Sequence, residues 1–103
     1  MSDIITTQQE IPDARFYVVA HDTFMSGWGP ATGKDNYVIL PCNNRVEAQV
    51  VEENARSRSE MADVQITDTK PPMPDFSRNG KPILWQIMDR YSATRWYTAG
   101  GFS

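Results

Sequence analysis

Asn36-Tyr37-Val38-Ile39-Leu40-Pro41-Cys42-Asn43-Asn44-Arg45-Val46-Glu47 is the stretch on which the fold turns. Its first five residues are aromatic and β-branched, which favours an extended, half-buried backbone. Pro41 cannot donate to a ladder, so the strand is expected to stop there. Asn44 is a good N-cap, and Glu47 three residues later completes a capping-box-like pair. A helix therefore opens at once. At 100° per residue, Val46, Val50, Val51, Ala55 and Met61 share one half of it, and Arg45, Gln49, Glu52, Glu53, Arg56 and Glu60 the other. Glu52 and Arg56 form an i,i+4 pair worth about 0.3 kcal/mol. Asn54 and Arg58 fall near the middle of the apolar half, where they are expected to cap or hydrogen-bond neighbouring backbone; a binding role is the alternative.

Outward from this stretch, Ala62-Asp63-Val64-Gln65-Ile66-Thr67 alternates polar and apolar as a half-buried strand does. Strand, helix, strand in this order predicts a right-handed crossover that sets the third strand parallel to the second in one sheet. On the other side, Phe16-Tyr17-Val18-Val19-Ala20 is a first strand, expected to pair antiparallel with 36–40 through the long connection from Thr23 to Asp35. Lys70-Pro71-Pro72-Met73-Pro74 is a stiff extended linker, and Asp75 to Lys81, with Asn79-Gly80, a turn. Ile83 to Met88 fits a strand by the alternation of Ile83, Trp85 and Ile87, or a helical stripe after Pro82. The strand is favoured because the run is short and follows a turn. Asp89 to Thr94 is a turn or one helical turn, Arg95-Trp96-Tyr97-Thr98 a last short strand, and Ala99-Gly100-Gly101 a flexible tail. Residues 1–14 form a polar arm, or else a short edge segment docking through Ile4 and Ile5; residues 15–103 form one domain. The expected fold is α+β: an antiparallel hairpin plus a β-α-β crossover, giving a sheet of three to five strands with one main helix on one face.

The chain's 103 residues fit a single domain with a small core. Residues 1–69 hold eleven acids against five bases, whereas residues 70–103 hold Asp75 and Asp89 against Lys70, Arg78, Lys81, Arg90 and Arg95. The slightly negative total argues against a general DNA-coating role. One cysteine, Cys42, precludes an internal disulfide and fits a reducing compartment. No apolar run approaches the roughly 18 residues that span a bilayer. Met1 to Ile11 lacks the basic start and apolar core of a signal peptide. A cytoplasmic protein with no membrane contact is expected.

Several chemistries fail by position. A Walker loop needs four residues between its glycines, but Gly29 and Gly33 have three between them and Lys34 is followed by Asp35. The dinucleotide pattern would need glycine where Thr32 stands. One histidine and one cysteine supply no ligand cluster for a zinc or iron centre, and no cofactor is expected. A Cys42–His21 dyad is separated in the expected hairpin, where His21 faces about Val38 and Cys42 about Tyr17, roughly 13 Å apart. His21-Asp22 is either a strand-end pair or an acid–base pair.

Two surfaces remain. Phe24, Met25 and Trp28, with Lys34 at the end of the same glycine-punctuated loop, either fold back as a lid over the core or expose a binding anchor. In the C-terminal third, Arg78, Lys81, Arg90 and Arg95 are interleaved with rings that include Trp96, the combination that single-stranded nucleic acid binds; the rings are also needed to build the core.

Phe24-Met25-Ser26-Gly27-Trp28-Gly29-x-Ala31-x-Gly33-Lys34-x-Asn36, Asn54-Ala55-Arg56-x-Arg58-x-Glu60-Met61-x-x-Val64 and Arg95-Trp96-Tyr97 together resemble a group of small bacteriophage and prophage proteins of unknown function. Ala93-Thr94 stands where that group often has Tyr-Pro. The resemblance implies a phage accessory protein made in the bacterial cytoplasm and implies no catalytic residues. The expected function is a non-enzymatic module that binds a host or phage protein as inhibitor or regulator. The alternative is single-stranded nucleic-acid binding through the C-terminal third. Homodimer formation through an open sheet edge stays open.

Overall fold

A computed structural model of the chain describes residues 11–23, 34–78 and 80–101. The elements follow in the order β1 (Phe16–Asp22), β2 (Asp35–Cys42), α1 (Arg45–Arg56), β3 (Met61–Thr67), β4 (Ile83–Ile87) and a 3-10 helix (Thr94–Tyr97). The strands form one mixed sheet in the order β3-β1-β2-β4. This is the expected α+β architecture, with one main helix.

β1 lies at the centre and runs against both of its neighbours, β2 and β3. β2 and β3 therefore share a direction, as a β-α-β crossover requires, but they are not adjacent, because β1 is inserted between them. β4 adds to the outer side of β2 in parallel. The hairpin register pairs Phe16 with Cys42 and His21 with Tyr37, one residue away from the register expected.

β2 does not stop at Pro41. That residue stays in the ladder opposite Tyr17. It is tolerated because β4 pairing has already ended at Ile39, where the Met88 amide donates to the Ile39 carbonyl, so one side of β2 is open at Pro41.

Alternation along β1 and β2 sends Val18, Ala20, Val38, Leu40 and Cys42 to the face beneath α1. There they pack with Ala48, Val51, Ala55 and Trp96. Asn44 caps the helix as expected, its side chain accepting from the Glu47 amide at 2.8 Å, but the Glu47 carboxylate reaches one residue past the cap and accepts from the Asn43 amide at 2.7 Å. The buried stripe of α1 is Ala48, Val51, Asn54 and Ala55. Val46 stands 70% exposed, contrary to its assignment to the apolar half, because the stripe is centred on Val51 and draws in Asn54 instead. Met61 belongs to β3 rather than to the helix.

β3 carries a bulge. Val19 pairs with Gln65 but His21 pairs with Ala62, so Asp63 and Val64 together oppose Ala20, and Asp63 takes φ 53°. The extra residue resets the alternation, which is how Met61, Val64 and Ile66 all reach the core.

Ile83–Ile87 is a strand, as its alternation predicts. The last expected strand is instead the 3-10 helix Thr94–Tyr97, preceded by a turn in which the Asp89 carboxylate accepts from the Tyr91 and Ser92 amides. Trp96 turns into the core from this short helix.

Candidate functional site: the sheet face opposite the helix

The odd-numbered residues of β1 and β2 face away from α1. Tyr17 and Ile39 are fully buried there. Two irregular segments touch this face. The Tyr17 hydroxyl donates to the Pro12 carbonyl and accepts from the Ala14 amide, both at 3.0 Å. The Trp85 indole donates to the Pro74 carbonyl at 2.9 Å. The proline-rich run thus crosses from the β3 edge to the β4 edge, and Lys70 meets Asp13 on the way at 2.8 Å.

Three rings form a ladder across β1, β2 and β4. His21 stacks on Tyr37 with centroids 4.6 Å apart, and Tyr37 meets Trp85 at 5.2 Å. Strand register places each pair directly opposite. Burial, then the carboxylates of Asp35 and Asp63, pushes the Tyr37 phenol up. His21 Nε2 lies 3.8 Å from Asp35 Oδ1 and makes no hydrogen bond among the described residues.

The expected connection leaves this end of the sheet. Phe24, Met25 and Trp28, and with them the lid and the anchor, lie outside the described residues. Both feet of the connection are clamped. The Thr23 amide and hydroxyl both donate to the Glu60 carbonyl, at 2.8 and 2.7 Å, and the Asp35 amide donates to the Pro82 carbonyl at 2.8 Å. Lys34 is a half-buried bend residue between them. Beside Asp35 opens a groove of about 460 Å³ lined by Tyr37, Pro74, Phe76, Arg78 and Ile83. Phe76 is 62% exposed at its rim.

The C-terminal residues singled out earlier are not gathered on one surface. Trp96 is a core residue, and the Arg58 guanidinium lies 5.4 Å over its ring. Arg90 pairs with Glu47 at 2.7 Å and covers the Tyr97 ring. Arg95 donates through Nε to the Gly101 carbonyl, across a turn formed by residues 98–101. Arg78 and Lys81 are exposed in the turn that leads into β4. A second cleft, of about 540 Å³, lies on the α1 side of β4 between Gln86, Met88 and Arg95.

The nucleophile–base pairs considered are not assembled. Cys42 faces Phe16, five residues along β1 from His21, a separation of about 16 Å, and the two side chains take opposite faces. Burial, then the nearby Glu47 carboxylate, pushes the Cys42 thiol up to about 12. His21 and Asp22 are separated by the pleat. Among the described residues no three His, Cys, Asp or Glu side chains come together to hold a metal ion, and no helix is long and apolar enough to cross a membrane.

The groove and the ladder were legible in part: Tyr37 and Trp85 read as strand residues, but nothing local in the sequence joins them to Phe76 and Pro74. No protein-family model matches the chain, and comparison with curated proteins and with solved structures finds no significant match.

Proposed function

We propose that the chain is a non-enzymatic binding module whose partner is a host or phage protein, acting as an inhibitor or regulator in the bacterial cytoplasm. The carrying observation is the placement of an open aromatic groove beside the clamped feet of the 24–33 connection. Fixed feet let a connection rich in large apolar residues present them at reduced entropic cost on binding. Phe76 at the groove rim is one of the aromatic residue types that dominate protein hot spots, and the sequence of the connection adds Phe24, Met25 and Trp28. The sequence resemblance to small phage proteins supports the same reading and suggests the compartment.

The test is capture from bacterial lysate, with partners quantified by mass spectrometry. Wild-type protein is expected to enrich a defined partner that Trp28→Ala, Met25→Ser and Phe76→Ser each lose by tenfold or more. Equal capture by all three variants would remove this surface from the reading.

Phe76, Arg78 and Lys81 share one exposed turn, which keeps a second reading of single-stranded nucleic-acid binding in view. It predicts oligonucleotide anisotropy at low salt that collapses as salt rises.

A further inference from the structure

We infer that the outer edge of β4 pairs with the same edge of a second copy of this chain, antiparallel about Ile87, and joins the two four-stranded sheets into one. This homotypic surface goes beyond the reading of a host or phage partner and does not depend on it.

The register shows which backbone groups are engaged. The Asp35 amide donates to the Pro82 carbonyl and the Met88 amide to the Ile39 carbonyl. The even-numbered residues of β4 therefore turn their amides and carbonyls toward β2, and the odd-numbered ones turn theirs outward. The Ile83 amide is already held by the Asp75 carbonyl at 2.9 Å, and Phe76 bridges to Pro82, so residues 75–77 close one end of the outer edge. At the other end the Asp89 carbonyl accepts from the Ala93 amide at 2.8 Å, and the chain turns away. Between these stops, among the described residues, no backbone group meets the amides and carbonyls of Trp85 and Ile87. Open rungs of this kind are the template for strand addition.

The opposite edge of the sheet is protected. In β3 the Asp63 bulge twists the strand, and the Arg56 side chain donates to the Val64 carbonyl. Both are devices that blunt a sheet edge. β4 has neither over Trp85 and Ile87.

The open stretch is its own complement. It runs from Trp85 to Asp89 and is centred on Ile87. Turned about a two-fold axis at Ile87, a second copy sets Ile87 opposite Ile87, where the pair exchanges two hydrogen bonds, and Trp85 opposite Asp89 on each side. Each chain turns away at Asp89 before it reaches the other's Asp75. A centre at Trp85 would instead drive Ile87 onto the Asp75 that holds Ile83. On one face of the joined sheet Ile87 packs on Ile87, with Trp85 on the diagonal. On the other face Met88 opposes Gln86, with Leu84, 38% exposed in the single chain, on the diagonal.

Charge admits the second copy. Arg90 is joined to Glu47 at 2.7 Å, Arg95 donates to the Gly101 carbonyl, and Asp75 and Asp89 flank the strand, so the edge is not of one sign. Within the paired stretch Asp89 and Arg90 oppose Trp85 and Leu84, and no like charges face each other. Beyond it, the turn that carries Lys81 runs toward the second copy's Asp89, and Asp75 toward the end that carries Arg95. Opposite signs approach at both ends.

The test uses the full-length chain. Sedimentation from micromolar to millimolar concentration is expected to show a monomer passing to a dimer. Amide exchange followed by NMR is expected to slow at Trp85 and Ile87 at least tenfold over the same range. Because Ile87 faces itself, Ile87→Lys and Ile87→Glu are each expected to stay monomeric at millimolar concentration, and their equimolar mixture to dimerise. Ile87→Cys is expected to form a disulfide-linked dimer under mild oxidation, while Gln65→Cys on β3 stays monomeric. A wild-type chain that is monomeric at millimolar concentration would overturn the inference. So would a dimer whose Trp85 and Ile87 amides exchange at the monomer rate, equal cross-linking at the two cysteines, or charged variants that keep the wild-type circular dichroism spectrum but do not associate when mixed.

Discussion

The side-chain amide of Asn54 donates to the carbonyl oxygens of Trp96 at 2.9 Å and Thr98 at 2.8 Å, with that of Arg95 at 3.2 Å. A polar residue in the buried stripe of α1 thereby collects the carbonyls that the 3-10 helix cannot satisfy for itself. It also fixes Trp96 in the core from more than forty positions away. Asn54→Ala is expected to cost about 2 kcal/mol, since it strands buried carbonyls. Asn54→Asp is expected to cost more, because a carboxylate would face the same acceptors. Urea unfolding followed by circular dichroism measures both. An Asn54→Asp loss no larger than that of Asn54→Ala would refute this role.

Glu47 joins the helix start to the C-terminal turn. Its carboxylate accepts from the Asn43 amide and from Arg90, each at 2.7 Å. Burial raises its proton affinity, but the Arg90 and Asn43 hydrogen bonds and the Arg90 charge outweigh burial and hold the carboxyl below its ordinary value. A carboxyl lowered on folding contributes stability above its unfolded value, 4.5, that is lost as pH falls. Glu47→Gln is therefore expected to cost about 1 kcal/mol at neutral pH. The variant and the wild type should converge near pH 3. Paired urea midpoints at the two pH values decide this, and a gap that persists in acid would mean the loss is one of packing rather than charge.

The parts of this fold that could be read from sequence are those set by neighbours in the chain. Asn44 and Glu47 announce a helix start because capping is local, and the alternation of Ile83, Trp85 and Ile87 announces a strand because pleating is local. The misreadings all involve distant partners. Periodicity places Val46 inward, but the buried stripe turns toward Asn54, which reaches the carbonyls of Arg95, Trp96 and Thr98. Arg95-Trp96-Tyr97 has strand-forming residues, yet no free edge waits for it, and the core beneath α1 takes Trp96 instead. β1 sits between β2 and β3 because it can pair on both sides, which no pattern within residues 16–22 reveals. For the candidate site, Tyr37 and Trp85 were recognisable as strand residues, while their meeting with Phe76 depends on a proline run crossing the sheet. Phe24, Met25 and Trp28 lie outside the described residues.

Alkaline pH should unfold this protein through two buried acids. Burial, before any charge effect, raises both the Cys42 thiol, to about 12, and the Tyr97 phenol. Sγ of Cys42 donates to the Leu40 carbonyl at 3.4 Å, and the Tyr97 hydroxyl donates to the Pro41 carbonyl at 2.9 Å. In the unfolded chain the thiol releases its proton near 9.0, its ordinary value. Below that pH the thiol adds no pH dependence; above it the unfolded state binds fewer protons than the folded one, so stability falls as pH rises toward about 12. Cys42→Ala is expected to flatten the decline of the urea midpoint between pH 8 and pH 10.5, whatever its cost at neutral pH. The native thiol is also expected to resist a disulfide reagent at pH 8 until denaturant is added. Rapid labelling of the folded protein would contradict its burial.

Asp63 is a strand residue whose backbone is left-handed, φ 53°, inside the β3 bulge. Strand propensity alone predicts that valine would improve the position, since β-branched residues favour a pleated surface. The bulge predicts the opposite sign. A β-branched side chain at positive φ is strained, so Asp63→Val is expected to lose about 1–2 kcal/mol. Asp63→Gly, which relieves the conformation but loosens the unfolded chain, should change stability by less than about 1 kcal/mol. Both variants remove the same carboxylate, so that loss cancels, and strain at positive φ sets valine below glycine against valine's higher strand propensity. Thermal midpoints that rank valine above glycine would mean that β3 pairs with β1 without an inserted residue. Met61 and Val64 could then not both face the core.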